Sequence, residues 1–301
     1  MAVRYNGLQM LKSGTAVPSI LSVDVEDWFH ILDIPSAPSM QTWSTLPSRV
    51  EANFLGLLDL FEEHQARASC FFLGWVAEHF PHLVREAVRR GHEIASHGYA
   101  HRLVHGMTRD EFYADALRAR KILEDVSGAA VAGFRAAGFS VTEDTPWFFG
   151  ALAEAGYRYD SSIFPARHGH GGMRNSRREP YRVEAEGANV VEFPISIMDL
   201  FGRPMCFFGG GYLRLFPYAL IRRMARRVLA EGRPVVYYIH PREIDPAQPR
   251  LPMSSVRRFK SYVNLRSTKA KLHSILREFP PVTFREYLAM NAAVTGPAYV
   301  H

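Results

Sequence analysis

Alternating helix and strand signals between residues 19 and 245 constrain the fold of this chain more than any other feature. The short apolar run from Ile20 to Val25 is typical of a buried strand, and Arg49 to His64 has apolar residues at helical spacing before the next apolar run. Repeated βα units of this kind imply parallel strands. We therefore expect an α/β fold, closed or nearly closed into a barrel, with functional groups at the carboxyl ends of the strands.

Two further helices are predicted within this pattern. One begins after the N-cap Thr108, with Glu111 three residues on, and reaches about Val126. The other spans Thr142 to Ala155 and precedes the strand at Tyr157.

Two acidic residues follow the first strand in the segment Ser22 to Trp28. Residues two apart on a strand point the same way, so Asp24 and Glu26 are expected to share a face. Asp27 is a rival metal ligand, although it would point to the opposite strand face. The pattern leaves both acids open as ligands and favours Glu26.

A pair of histidines follows the predicted strand Glu93 to Ser96. His97 and His101 stand four apart, which places two side chains on one face where a helical turn follows a strand. Alone, either pair is more often structural. One carboxylate with two imidazoles, however, meets the ligand count of a divalent cation that keeps one position open for water.

Further polar residues follow later apolar runs. Arg135 follows Val131 to Phe134, Asp160 follows Tyr157 to Tyr159, and His240 follows Val235 to Ile239. Five strand ends are therefore expected to converge, which favours a catalytic site over five unrelated surface features.

At these five motifs the chain resembles the polysaccharide deacetylase family, over roughly residues 19 to 245. It is most similar to the branch associated with exopolysaccharide and exosortase systems, through residues 23–28, 210–214 and 240–245. The resemblance implies an irregular, seven-stranded (β/α) barrel with a long insertion and a helical C-terminal extension. Ala137 stands where relatives often have proline.

The resemblance also implies roles for these residues. Asp24 would be the catalytic base and His240 the general acid, while Glu26, His97 and His101 would bind a divalent metal. Zinc is the expected metal, and cobalt or nickel fits the same ligand atoms.

Neighbouring charges are expected to tune the two catalytic groups. Arg135 would keep Asp24 ionised, and Asp160 would favour the protonated form of His240. Trp28 and Tyr99 are candidate substrate-binding residues, with core packing as the alternative for both.

The predicted function is metal-dependent N-deacetylation of an N-acetylated sugar, free or carrier-linked, in exopolysaccharide biosynthesis. Two alternatives stay open. The same site could hydrolyse a small cyclic amide or a carrier-linked formamido sugar, or the barrel could bind carbohydrate without catalysis.

Composition limits the setting of this activity. Cys70 and Cys206 imply no disulfide framework. The first residues lack the features of a secretory signal, and no apolar run reaches the roughly 20 residues of a membrane span. We expect a cytoplasmic protein, with the membrane surface as an alternative location.

The net charge of +6 comes from an arginine excess. Nucleic acid is not an expected partner, because no recognition motif accompanies the basic residues.

Three regions flank or interrupt the predicted barrel of residues 19–245. Residues 1–18 form an N-terminal extension, residues 164–189 an insertion and residues 246–301 a C-terminal extension with a helix from about Arg266 to Glu278. The insertion is expected to be a loop that contains His168 and His170. The arginines between 222 and 227 favour a solvated helix face over a site for carrier phosphate or anionic lipid. The glycine run 209–211 favours a tight turn over a phosphate loop.

Overall fold

The computed structural model describes residues 4–6, 17–167, 169–174, 176–185 and 188–291. Its strands are Arg4–Asn6 (β1), Ser19–Val25 (β2), Ser69–Phe72 (β3), Glu93–Ser96 (β4), Gly133–Phe134 (β5), Tyr159–Asp160 (β6), Tyr181–Ala185 (β7), Ala188–Glu192 (β8), Ile197–Leu200 (β9), Arg203–Cys206 (β10), Val236–Ile239 (β11) and Pro281–Val282 (β12). Its α-helices are Val50–Glu63 (α1), Gly74–His79 (α2), Pro81–Arg89 (α3), Arg109–Ser127 (α4), Phe148–Glu154 (α5), Gly210–Leu215 (α6), Tyr218–Ala230 (α7), Ser255–Tyr262 (α8), Thr268–Glu278 (α9) and Phe284–Met290 (α10).

Seven parallel strands form the central sheet, in the order β11, β2, β3, β4, β5, β6 and β8. The antiparallel strands β7 and β1 extend it beyond β8, and β12 pairs in parallel with the start of β2. The sheet curls around an apolar interior and helices pack outside it. This arrangement confirms the predicted irregular (β/α) barrel with seven parallel strands.

Helix α10, the last helix of the described residues, fills one end of this interior. Phe284, at the start of α10, is fully buried and stacks on Tyr159, with 5.3 Å between ring centroids. Its ring also meets Phe71 edge-on at 5.7 Å. Above Phe71 lies the guanidinium of Arg135, 4.2 Å from the ring centroid. An aromatic layer therefore supports the charged groups at the other end of the barrel.

Two predicted elements differ from the structure. The helix expected over residues 142–155 forms only at Phe148–Glu154. A turn precedes it, in which the Thr145 hydroxyl donates to Thr142 O and accepts from Thr142 N–H, and Pro146 follows. The insertion 164–189, expected to be a loop, contains β7, which pairs with β8. His168 lies outside the described residues.

The arginines of α7 lie where the helical pattern predicted them. Arg222, Arg223, Arg226 and Arg227 are all exposed, and Arg226 pairs with Glu278 at 2.6 Å.

Among the helices of the described ranges, none is both long and apolar enough to cross a lipid bilayer.

Candidate active site

Three ligand atoms of Glu26, His97 and His101 converge at the carboxyl end of the sheet. They lie within 4.8 Å of one another, and all three residues are buried. Glu26 follows β2 and His97 follows β4, as the strand-end argument predicts. One oxygen and two nitrogen donors in this arrangement suit zinc or a similar divalent cation.

Backbone carbonyls orient both imidazoles. His97 Nδ1 lies 2.8 Å from the carbonyl oxygen of Arg135, and His101 Nδ1 lies 2.7 Å from that of His30. Each Nδ1 therefore carries the proton, and each Nε2 offers its lone pair to the shared point. Burial, the largest cause, lowers the pKa of both histidines, which favours the neutral form that binds a metal.

A side chain of helix α4 holds the turn between these histidines in place. Asp115 accepts hydrogen bonds from the backbone N–H groups of Tyr99 at 2.7 Å and Ala100 at 3.3 Å. Gly98 has φ of +74°, and His101 adopts a left-handed φ of +52°. A non-glycine residue in this region is strained, and such strain persists only where neighbours hold it. Asp115 is one such neighbour.

Glu26 rather than Asp27 faces the two imidazoles. Asp27 is occupied as a cap: its carboxylate accepts from Trp28 N–H at 2.7 Å, Ser48 Oγ at 2.6 Å and Arg49 N–H at 2.9 Å. These bonds join the short 3₁₀ turn Trp28–His30 to the start of α1. The structure thus favours Glu26 as the metal ligand, in agreement with the alternation of side chains along a strand.

The Glu26 carboxylate fits an anionic metal ligand. Its Oε2 is buried and lies 3.0 Å from His101 Nε2, yet it receives no hydrogen bond of normal geometry from the described residues. Burial raises the pKa of Glu26 to about 7, and the positive charges of His240 and Arg242 only partly oppose this effect. A bound cation would satisfy the oxygen and keep the carboxyl group ionised.

Asp24 forms a buried ion pair with Arg135. Arg135 Nη1 lies 2.6 Å from Asp24 Oδ1 and 2.9 Å from Ser22 Oγ. Burial raises the pKa of Asp24, but the charge and hydrogen bond of Arg135, with His97 and His240, lower it overall. Asp24 is therefore ionised near neutral pH, as a general base must be.

His240 lies close to both acids of the site. Its Nε2 is 3.2 Å from Glu26 Oε1 and 3.7 Å from Asp24 Oδ2. Its Nδ1 is 3.1 Å from Glu243 Oε2. Burial lowers the pKa of His240, but the carboxylates of Glu26, Glu243 and Asp24 raise it overall. The protonated form is thereby favoured, as a general acid requires.

The expected contact between Asp160 and His240 is wrong. Asp160 instead accepts from Ser162 Oγ at 2.6 Å and forms a hydrogen-bonded carboxyl pair with Glu192. Burial raises the pKa of Asp160 to about 6, so this pair shares a proton. Ser162 Oγ also accepts from Ala136 N–H at 2.8 Å. Asp160 therefore positions the segment after Arg135, and Glu243 occupies the place next to His240.

Glu243 belongs to a buried network of its own. Arg214 Nε lies 2.7 Å from Glu243 Oε1, and both side chains are almost completely buried. The other Arg214 nitrogens donate to the carbonyls of Lys260, Ser261 and Val263. The charge of Arg214 holds Glu243 ionised against the effect of burial. The chain after residue 245 is thus connected to the His240 imidazole through two side chains.

The site opens into a cavity of about 410 Å³. Neither Trp28 nor Tyr99 lines it, which corrects the prediction that they bind substrate. The 3₁₀ turn points Trp28 into the core, where its indole N–H donates to Pro47 O, and Tyr99 turns toward α4 and donates to Glu78 at 2.7 Å. The aromatic residues at the cavity are Phe139, Tyr212, Tyr238 and Phe259.

The predicted insertion and the glycine run both border this cavity. Arg167, Gly169 and His170 line it, and His170 pairs with Asp33. Gly209 packs on the Tyr238 ring so closely that a Cβ there would lie 2.2 Å from ring carbons. The glycine run therefore serves a close approach beside His240, in addition to starting α6.

A second group of metal-ligand residue types lies at the surface, between α1 and α9. His64 Nε2 is 2.8 Å from His273 Nδ1, and Glu63 is exposed beside them. It shares no residue with the cavity.

Two family models match consecutive parts of the chain. A model described as Polysaccharide deacetylase matches residues 38–159, and one described as Domain of unknown function (DUF3473) matches residues 161–289. The similarity to the polysaccharide deacetylase family thus covers residues 38–159. The deacetylase match includes His97, His101 and Arg135 but neither Asp24 nor His240. The placement of those two residues therefore rests on geometry.

Curated relatives are similar over shorter stretches. A peptidoglycan-N-acetylglucosamine deacetylase of Bacillus cereus is 32% identical over 74 residues, 25% of this chain and 27% of the relative. A peptidoglycan deacetylase of Helicobacter pylori is 29% identical over 107 residues, 36% of each chain. The similarity thus spans about a third or less of these polysaccharide deacetylases.

Solved structures share the fold over most of the chain. One described as a candidate polysaccharide deacetylase from Mycobacterium smegmatis has a TM-score of 0.58 at 18% identity, covering 94% of this chain and 98% of that one. An allantoinase has a TM-score of 0.54 at 16% identity, covering 88% and 92%. At these identities the likeness supports the barrel and not a particular substrate.

Proposed function

We propose that this chain is a metal-dependent N-deacetylase that removes acetyl groups from an N-acetylated sugar in exopolysaccharide biosynthesis. The observation that carries the proposal is the convergence of Glu26, His97 and His101 beside Asp24 and His240, where neighbouring charges lower the pKa of Asp24 and raise that of His240. Hydrolysis of an acetamide needs an activated water, a stabilised oxyanion and a proton for the leaving nitrogen. These side chains supply each of these needs when the site holds a divalent cation.

Glu26, His97 and His101 would hold that cation. A bound zinc ion lowers the pKa of water to about 7 and polarises the acetyl carbonyl. Cobalt and nickel fit the same donor set. The two backbone carbonyls that accept from the histidines fix the direction of each lone pair.

Asp24 is the base of this scheme. Its Oδ1 is engaged by Arg135, while its Oδ2 faces His240 across the cavity. Oδ2 can take the proton of the attacking water, and the buried ion pair keeps Asp24 ionised and fixed in orientation.

His240 is the acid of the scheme. Its Nε2 faces the acids of the site, and its Nδ1 contacts Glu243. Nε2–H can donate to the sugar nitrogen as the amide C–N bond breaks, which yields acetate and a free amino sugar.

The substrate proposal combines the family with the cavity. Relatives are named for peptidoglycan and N-acetylglucosamine, which supports an N-acetylated hexosamine as the substrate here. The exopolysaccharide role rests on the resemblance in residues 23–28, 210–214 and 240–245. The cytoplasmic location stays a prediction.

Acetate release tests the proposal. The zinc-loaded protein is incubated with N-acetylglucosamine oligomers, other acetylated saccharides, a formamido sugar and allantoin, and the released acid or opened ring is quantified. We expect acetate and free amine in equal amounts from an acetamido sugar. Turnover of allantoin alone would show that the site hydrolyses a cyclic amide. Stoichiometric metal without any turnover would favour a non-catalytic carbohydrate-binding barrel.

A further inference from the structure

Among the described residues that line the active-site cavity, cationic side chains outnumber acidic ones. All of its acidic lining residues belong to the catalytic network, namely Asp24, Glu26 and Glu243. Its cationic lining residues outside that network are Arg167, Arg242, Arg257 and Lys260. The space beyond the reacting carbonyl is therefore positively charged.

Two of these cations are half-buried and form no ion pair with an acidic side chain of the described residues. Arg242 forms no side-chain hydrogen bond or ion pair with the described residues, and Arg257 donates only to the backbone carbonyl of Leu32, at 2.7 Å. The Nε atoms of both arginines are buried without a hydrogen-bond partner in the described part of the chain. Buried donors of this kind are normally satisfied.

The two guanidinium groups also influence each other. Burial and the charge of Arg242 lower the pKa of Arg257, against a smaller opposing effect of Asp33. Like charges held together beside a cavity favour an anion between them, and planar guanidinium groups suit phosphate and carboxylate oxygens.

Apolar side chains surround this cationic area at the cavity mouth. Tyr212, Leu215, Val256 and Phe259 all line the cavity and are 37%, 39%, 66% and 54% exposed. They lie on α6 and α8, next to Arg257 in sequence or across the cavity from it. Exposed apolar residues grouped in this way mark a binding surface more often than scattered ones do.

We propose that the substrate is an acetamido sugar linked through a phosphoryl group to an apolar chain. Arg242 and Arg257 would bind the phosphoryl oxygens, and the chain would cover Tyr212, Leu215, Val256 and Phe259. A neutral polysaccharide would supply no anionic partner for either arginine. The inference rests on the proposed function and names the substrate class of that same site.

Comparison of substrates tests the inference. KM and kcat are measured for N-acetylglucosamine oligomers, an octyl N-acetylglucosaminide, N-acetylglucosamine 1-phosphate, an uronate-containing acetylated oligosaccharide and a prenyl diphosphate-linked N-acetylglucosamine. We expect the lowest KM for the prenyl diphosphate sugar, at least about tenfold below the neutral oligomers, since one charge-assisted contact is worth about that factor. Equal KM values, or the lowest KM for the uronate, would overturn the inference while acetate release still upheld the proposed function.

Arginine variants identify the groups responsible. Arg257→Gln should raise KM for the prenyl diphosphate sugar about tenfold and leave KM for the neutral oligomers unchanged, and Arg257→Lys should recover part of the loss. Arg222→Gln, on the exposed arginine face of α7, is the matched control and should behave as the parent. An equal rise with neutral and phosphorylated substrates would show that Arg257 is merely structural.

Direct binding separates this inference from the proposed function. Calorimetry with geranyl diphosphate is performed on His97→Ala and on His97→Ala with Arg257→Gln, so that a metal ion at the site does not contribute. Binding that weakens about tenfold in the double variant supports the inference even if no sugar is deacetylated. Equal binding by both proteins, or by neither, contradicts it.

Discussion

The protonation states of two residues, Asp24 and His240, decide whether this cavity can hydrolyse an amide. Their side chains face each other at 3.7 Å, and each is controlled by a different buried partner. Arg135 lowers the pKa of Asp24, while Glu243 helps to raise that of His240. The base and the acid are thereby kept in the opposite states that their roles require.

Replacing Asp24 should separate catalysis from metal binding. Asp24→Asn keeps the shape of the side chain but removes its basicity, so kcat should fall about 10²- to 10⁴-fold while metal content stays at the parent level. Steady-state kinetics and elemental analysis of the same preparation measure both. A kcat close to that of the parent would show that another group takes the proton.

Replacing Glu243 should change the pH dependence of the reaction. In the parent, the Glu243 carboxylate raises the pKa of His240, and activity should fall as the pH rises above that pKa. Glu243→Gln removes the negative charge, so the alkaline decline of kcat should occur at lower pH. An unchanged alkaline limb would contradict the pairing.

Stability is the control for this variant. Glu243→Gln leaves Arg214 buried beside a neutral partner, which costs up to about 3–5 kcal/mol in the free energy of unfolding. The pH profile is therefore recorded well below the melting temperature. A shift in the profile, rather than a uniform loss of activity, distinguishes the electrostatic effect from partial unfolding.

The sequence predicts the site residues at strand ends better than it predicts the residues that hold those side chains in place. Glu26, His97 and His101 come together as expected, because parallel strands end at one edge of a sheet. Glu243 lies inside a motif that the sequence singles out, but its pairing with His240 depends on the 3₁₀ turn Pro241–Ile244. Asp160 was assigned that role because it follows a strand, although its side chain turns toward Glu192.

At the scale of elements, the turn from His97 to His101 depends on helix α4. Asp115, on the first α-helix that follows this turn in the chain, accepts hydrogen bonds from two of the turn's backbone N–H groups. Thr108 and Glu111 form the capping box at the start of the helix, as their spacing predicts, and Gly128 ends it with φ of +67°. Well-defined ends fix where Asp115 meets the turn.

Loss of Asp115 should weaken the metal site without removing a ligand. Asp115→Ala frees the turn, so metal affinity should fall about 10- to 100-fold, as for other supporting groups around metals. Competition with a chromophoric chelator measures the affinity. Asp125→Ala, at an exposed position of the same helix, is the control and should keep the parent affinity. Equal affinities for all three proteins would contradict the role of Asp115.

Element boundaries agree best with the sequence for α4, whose start a capping box marks, and for α1. α4 and α1 form within one residue of their expected ends, whereas the helix expected from Thr142 begins only at Phe148. Residues 142–147 are mostly polar, and the local bonds of Thr142 and Thr145 and the following Pro146 favour a turn. Strand β7 in the insertion depends on pairing with β8, which no local pattern reveals.

At the scale of the whole molecule, an aromatic column connects the closed end of the barrel to the catalytic end. Phe284 packs on Phe71, and Phe71 packs under the guanidinium of Arg135. Residues far apart in sequence are thereby stacked along the barrel axis. The position of Arg135 depends on this packing as well as on its hydrogen bonds.

Truncation of Phe284 should destabilise the entire fold. Its ring is fully buried among three other aromatic rings, so Phe284→Ala should lower the free energy of unfolding by about 3–5 kcal/mol. Denaturant titration measures the change. Met290→Ala, 61% exposed on the same helix, is the control and should change it little. A small effect of Phe284→Ala would show that the C-terminal helix is not part of the core.

The overall architecture was predictable because strand and helix signals alternate along most of the chain. The packing of residues 246–291 was harder to predict from the sequence, because β12, α10 and the Arg214 contacts depend on residues that are far apart in the chain. The boundaries of the N-terminal and C-terminal extensions, residues 1–18 and 246–301, remain predictions. Continuous contacts from Phe284 and Arg214 to the site show why these late residues matter to the barrel.

Metal stoichiometry tests the central claim most directly. Elemental analysis is performed on the parent, on His97→Ala and on His64→Ala, which alters the second group of metal-ligand residue types. The account predicts about one divalent ion per chain in the parent and in His64→Ala, and none in His97→Ala. A full complement of metal in His97→Ala would contradict it.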